Sequence, residues 1–195
     1  SSGQNQATEQ FSTVSGGVLN TASGSFSTVS GGTLNTARGS YSVVGGGANN
    51  LASGSYSVVS GGSENFASGT GSTVSGLFSC AGGDRSWAGG TFALTRPGNE
   101  PGDGTCGLNS GDFDGDNGTF VWADDQNDSF ISTGPKQFLI RSQGGMAINS
   151  NTPALFTDLT LGGSGNLVMR STSANTGVLD FGSRVRQMLN LFGSD

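Results

Sequence analysis

Histidine is absent from the 195 residues. With it go the commonest general base and the usual Ser/His and Cys/His nucleophile arrangements. Charge is scarce as well: Asp, Glu, Lys and Arg make up 11% of the chain, with a net charge of −6. That balance argues against a nucleic acid or an anionic membrane surface as partner. No apolar run is long enough to span a bilayer, which speaks against direct membrane insertion, and no signal-type segment stands at Ser1. Cysteine is limited to Cys80 and Cys106, whose spacing is not that of a metal site. They are either a disulfide, as would suit an extracellular protein, or two free thiols. Hydrophobic residues reach only 32%. So low a value suggests disorder when high charge accompanies it, and here it does not.

What is abundant is glycine, 36 residues of it, and its placement is periodic. Between Phe11 and Gly83 one phrase is written five times: FSTVSGGVLNTASGS, FSTVSGGTLNTARGS, YSVVGGGANNLASGS, YSVVSGGSENFASGT and the shorter GSTVSGLFSCAGGD. A flexible Gly/Ser linker has no need of such strict columns. A unit so short cannot close a core of its own, so each copy must bury its apolar face on the copies above and below. Two columns are apolar: Val14, Val29, Val44, Val59 and Val74, and Ala22, Ala37, Ala52, Ala67 and Ala81. β-Branched residues fit a pleated strand, and alanine requires the opposite wall to lie close, so the interior is narrow. The pairs Gly16-Gly17, Gly31-Gly32, Gly46-Gly47 and Gly61-Gly62 mark one corner of the coil, and Gly24, Gly39, Gly54, Gly69 and Gly83 mark another. Asn20, Asn35, Asn50 and Asn65 recur between them, where stacked amides can form a ladder along the axis. Asn5 and Ala7 fall in the same register, so the chain is expected to begin in mid-coil. The expectation is an all-β parallel roll, or solenoid, of 15-residue coils.

The pattern S-x-V-x-G-G-x-x-N-x-A-x-G resembles the head repeats of trimeric autotransporter adhesins and of related bacterial and phage tail-fibre proteins. The resemblance covers about half of the chain, with a unit one residue longer than the family's commonest one. It implies a left-handed parallel β-roll, three copies packed as a homotrimer, and an extracellular position on a bacterial surface, a phage or an injection machine. The phrases FVWAD, QFLIR and GGMAINSNTP resemble the segment that follows such heads. There it leads toward a stalk and, in many members, a C-terminal intramolecular chaperone. The function implied is non-enzymatic attachment to a host or surface, through a receptor or glycan.

Three regions are expected: the repeat rod at 1–95, a looped neck at 96–118, and a β-rich connector at 119–195. Ser86, Ala88 and Gly90 still match a sixth unit, but Arg85 and Trp87 replace the usual partners, and large residues arriving where small ones were are expected of an end cap. The neck is dense in Pro, Gly, Asn and Asp. Beyond it, short β runs are expected at 120–122, 137–140, 146–148, 159–161, 167–169 and 178–181, with a strand or a short helix at 183–192.

Asp112, Asp114 and Asp116 alternate as in the opening of a Ca²⁺ loop, although the sixth place holds Asn117 and the twelfth Ala123. They form either that site or a solvated acidic turn whose side chains cap backbone amides. No other cofactor is implied. The column Phe11, Phe26, Tyr41, Tyr56 faces either the core or another subunit, or else solvent, where it could stack on sugars or a receptor. Competing functions are an architectural filament without receptor, an ice-binding solenoid, and a glycan-degrading spike using carboxylates from Asp112 to Asp128. Against ice binding, the threonine rank of Thr13, Thr28 and Thr73 is interrupted by Val43 and Val58.

Overall fold

The computed structural model describes residues 4–96 and 116–142, and among these there is no helix. Two parallel sheets of eight strands each run along one solenoid. The valine sheet contains Thr13–Val14, Thr28–Val29, Val43–Val44, Val58–Ser63, Thr73–Leu77, Trp87–Thr91, Phe120–Ala123 and Phe138–Arg141. The alanine sheet contains Gln6–Ala7, Thr21–Ala22, Thr36–Ala37, Leu51–Ala52, Phe66–Ala67, Cys80–Ala81, Ala93–Thr95 and Phe130–Ile131. Register is strict through the repeats: Val14 pairs with Val29, Val29 with Val44 and Val44 with Val59, while Ala22, Ala37, Ala52 and Ala67 follow one another in the same way. From the second rung onward these side chains are fully buried. The apolar interior is thus one β-branched and one minimal residue per coil, and beside them Ser27, Ser42, Ser57 and Ser72 are fully buried as well.

Each coil hands its backbone hydrogen bonds to the next, and asparagine completes the set. The Asn20 Oδ1 accepts from the Asn35 N–H at 3.0 Å, and its Nδ2 donates to the carbonyls of Gly16 at 3.0 Å and Gly32 at 2.8 Å. Asn35, Asn50 and Asn65 repeat the pattern, and all four are buried. The amide therefore staples the corner to itself and to the rung beyond. Of each glycine pair, Gly17, Gly32, Gly47 and Gly62 have φ between +87° and +96°. Their first partners Gly16, Gly31, Gly46 and Gly61 supply the carbonyls that the asparagines bind.

The solenoid does not end where the change of texture near residue 90 predicts. Ala88 pairs with Val121 and Val121 with Leu139, so the inner column runs on through two further rungs. Trp87 is not a cap over the last coil; its ring stacks on Phe120 at 4.4 Å, and Phe120 on Phe138 at 4.7 Å, on consecutive strands. On either side of residues 97–115 the chain is held together, the Asp116 N–H donating to the Arg96 carbonyl at 3.1 Å. Phe120–Ala123 and Phe138–Arg141 thus continue the valine sheet beyond residues 97–115. The β runs expected at 120–122 and 137–140 are strands of the valine sheet. Those expected beyond residue 142, and the strand or helix at 183–192, lie outside the described residues.

Candidate functional site

The corner that carries Phe11 is built by a backbone conformation that bulky residues seldom adopt. Phe11, Phe26, Tyr41, Tyr56, Gly71, Arg85, Gly118 and Lys136 occupy it on successive rungs, all with φ between +53° and +65°. One repeating bond sets the register. The N–H of Tyr56 donates to the Ser40 carbonyl, that of Gly71 to Ser55, that of Arg85 to Thr70, that of Gly118 to Asp84 and that of Lys136 to Asn117. Left-handed backbone costs a non-glycine residue about 1–2 kcal/mol. Ring stacking returns about 0.5–1.5 kcal/mol per pair, which offsets much of that strain. The rings lie 4.7, 4.7 and 5.0 Å apart along the column.

These rings point away from the core. Phe26 and Tyr41, each covered on both faces by neighbours, remain 43% and 46% exposed, while Tyr56 and Phe11 at the two ends reach 61% and 72%. Packing inside the chain is therefore excluded for this column. A contact with another copy and an outward ligand-stacking role both stay open. A second exposed ridge runs along the glycine-pair corner, with Val18, Leu19, Leu34, Leu77 and Phe78. Leu19, Leu34, Asn49, Glu64, Phe78 and Phe92 there share φ values of +54° to +59°.

The ring column legible in the sequence is Phe11, Phe26, Tyr41 and Tyr56; that the same corner continues through Arg85, Gly118 and Lys136 is evident only in the backbone. Glycine replacing tyrosine at position 71 is the available signal, because glycine is the residue that takes a left-handed backbone without strain.

Asp116 lies directly after residues 97–115, with no exposed side-chain surface. The Arg96 guanidinium grips it with Nε on Oδ2 at 2.9 Å and a second N–H on Oδ1 at 3.0 Å. The Ser132 hydroxyl also donates to Oδ2. Both carboxylate oxygens are thus engaged by donors, in an ion pair that ties Asp116 to Arg96 across residues 97–115. Asp112 and Asp114 lie outside the described residues, among which no three acidic, cysteine or histidine side chains converge as metal ligands. Asp124, in the acidic stretch weighed for glycan hydrolysis, is likewise paired, with Arg141 Nε at 2.9 Å. Arg141 also donates to the Asp128 carbonyl at 2.7 Å and lies over the Phe130 ring, so it ties down the loop between Phe120–Ala123 and Phe130–Ile131.

Replacing Asp116 by asparagine should lower stability by about 2 kcal/mol in chemical denaturation. That is less than the 3–5 kcal/mol for breaking a wholly buried pair, because the Arg96 side chain is 23% exposed and can recover water.

Cys80 is buried and disulfide-bonded, which settles the choice between bridge and free thiol. Cys106 lies outside the described residues. On the outer face of the valine sheet, Thr28 pairs with Val43 and Val58 with Thr73, so the threonine rank needed for an ice lattice is broken in space as in sequence.

A scan against protein-family models gives no match, and no curated protein matches the sequence.

Proposed function

We propose that this chain is a non-enzymatic segment of an extracellular fibre, assembled as a homotrimer, that attaches its parent cell or particle to a host or other surface. The observation that carries the reading is the row of stacked, solvent-exposed rings from Phe11 to Tyr56. A solenoid whose core is already closed by valine, alanine and asparagine has no internal use for them, and contiguous exposed apolar rows mark contact surfaces. The ridge of Val18, Leu19, Leu34, Leu77 and Phe78 is the one to bury between copies, leaving the ring ridge outside. A disulfide at Cys80 supports an oxidising compartment. Lack of histidine supports a binding role over a catalytic one. Three copies raise avidity without strong single contacts.

Light scattering on the purified chain should give three times the 19.5 kDa mass of one copy. Leu34→Glu should shift it toward the monomer while the solenoid stays folded by circular dichroism. A folded wild-type monomer would overturn the trimer. A trimer that binds neither a glycan array nor any cell surface would leave an architectural filament in place of an attachment protein.

A further inference from the structure

The ring column has a missing tooth. Tyr56 is followed on the next rung by Gly71, and the rung after that carries Arg85. Two strand spacings of roughly 4.8 Å separate Tyr56 from Arg85, a gap of about 9.6 Å. Within the repeats each single spacing is filled by one ring, as Phe26, Tyr41 and Tyr56 show with centroids 4.7 and 5.0 Å apart. At Gly71 nothing fills it. A Cβ built there meets one atom within 4 Å, the Arg85 Cγ at 3.8 Å, an ordinary contact. The greater exposure of Tyr56 over Tyr41, 61% against 46%, is the open face looking into this gap.

The walls of the slot differ in chemistry. Below lies the phenol face of Tyr56. Above lies Arg85, exposed, whose side chain makes no hydrogen bond or ion pair among the described residues. At the floor, Thr70 and Asp84 are tied to each other, the Thr70 N–H donating to Asp84 Oδ1 at 2.7 Å, and the Asp84 N–H is held by Asn117 Oδ1 at 2.6 Å. The floor is thus fixed before anything binds, which limits the ordering cost of binding.

We infer that the slot between Tyr56 and Arg85 binds one six-membered sugar ring bearing a carboxylate, that is, an acidic residue of a surface glycan. The apolar face of such a ring stacks on Tyr56, as a neighbouring tyrosine would. Its carboxylate meets the guanidinium, the side chain best shaped to take a carboxylate through two parallel N–H donors. The hydroxyls on its rim stay in water or reach the Asp84 carboxylate. A bare aromatic ring would leave Arg85 unused, and a neutral sugar would gain the stack alone. This names a ligand class for the attachment function proposed above, and it rests on that reading for its biological use but not for its geometry.

The test uses the full chain and an oligoglucuronate as probe, with an oligoglucose of equal length as the neutral control, followed by tyrosine fluorescence and isothermal titration. The acidic probe should bind at least about tenfold more tightly than the neutral one, the scale of a single charge-assisted contact. Gly71→Tyr restores the tooth with the residue that the two preceding rungs carry at the same backbone angle. It should keep the fold and the oligomeric mass while weakening the acidic probe by about tenfold or more. Arg85→Gln should erase the preference between the probes and leave the weak neutral binding.

Equal affinity for both probes in the wild type would overturn the inference. So would undiminished binding by a folded Gly71→Tyr chain. Cell or surface attachment that survives Gly71→Tyr unchanged would reject the slot and leave the attachment reading standing. Oligoglucuronate binding by a chain that attaches to no surface would uphold the slot and reject that reading.

Discussion

Gly32→Ala will remove about 4 kcal/mol or more of stability, whereas Gly31→Ala, one residue earlier in the same pair, will leave it unchanged or raise it slightly. A Cβ on Gly32 overlaps the carbonyl oxygen of Gly47 and comes within 2.6 Å of Asn35 Nδ2 and 2.8 Å of the Gly47 nitrogen. The obstructed carbonyl is already in use, accepting from the Thr33 N–H and from Asn35 Nδ2, both at 2.9 Å. Relief therefore means parting two rungs and losing both bonds, at about 1 kcal/mol each. Overpacking of about 1–3 kcal/mol adds to this, as does the strain of alanine at φ +88°. Nothing lies within 4 Å of a Cβ on Gly31, whose φ is outside the left-handed range. There the main effect is a stiffer unfolded chain, worth about 0.4–1 kcal/mol in favour of the fold. Urea denaturation of the two variants measures the contrast. Because stability in a solenoid is passed between neighbours, Gly32→Ala should also split the transition, with the rungs on either side melting separately. Equal losses for both variants would mean that the rungs are not as close as the column demands.

The same contrast shows what could be read before any coordinates. Period and column identity show which side chains go inward: Val29, Ala37 and Asn50 are at the core, where valine and alanine recur in all five units and asparagine in the first four. A glycine pair, by contrast, does not announce which member is indispensable, since that depends on whether the next rung's carbonyl lies across from it. The left-handed corners were harder still. Phe and Tyr are unfavourable in that conformation, and only Gly71 and Gly118 in one column and Asn49 in the other carry the preference that betrays it. The continuation past residue 96 was illegible because the spacing changes. Gly71 to Arg85 is fourteen residues, Arg85 to Gly118 thirty-three and Gly118 to Lys136 eighteen, so a fixed period loses the thread even though the backbone bonding keeps it. What restores the register is chemistry distant in sequence, chiefly the Arg96–Asp116 pair.

Asn50→Ala will cost about 4 kcal/mol, and the reason is burial rather than the number of bonds. Asn50 Oδ1 accepts from the Asn65 N–H at 3.0 Å, and Nδ2 donates to Gly46 at 2.9 Å, Gly62 at 3.0 Å and Asn35 Oδ1 at 3.0 Å. Alanine leaves the Asn65 N–H buried without an acceptor, at about 1–3 kcal/mol. It also empties a space that the rungs cannot close without breaking register. Asn5 makes the equivalent bonds to Gly17 at 2.9 Å and to the Asn20 N–H at 3.0 Å, but it lies exposed, where water can replace them. Asn5→Ala should therefore cost under about 1 kcal/mol in the same assay, although it removes the same kind of bond to the next rung's N–H and to a glycine carbonyl. Asn50→Ser should fall between the two, because the protein already ends this ladder with a serine. Ser79 takes the Asn65 Oδ1 bond through its N–H at 3.1 Å, while its hydroxyl donates to Leu77 at 3.2 Å and accepts from Ala93 at 3.3 Å. That hydroxyl does reach the next rung, through the Ala93 N–H and the Gly90 carbonyl, but both contacts are 3.3 Å, longer than the 2.9 and 3.0 Å bonds of the Asn50 amide to Gly46 and Gly62, so a serine recovers only part of what the amide supplies. If Asn5→Ala proved as damaging as Asn50→Ala, the stabilising element would be the hydrogen bond itself, and the dry interior would lose its place as the source of the ladder's strength.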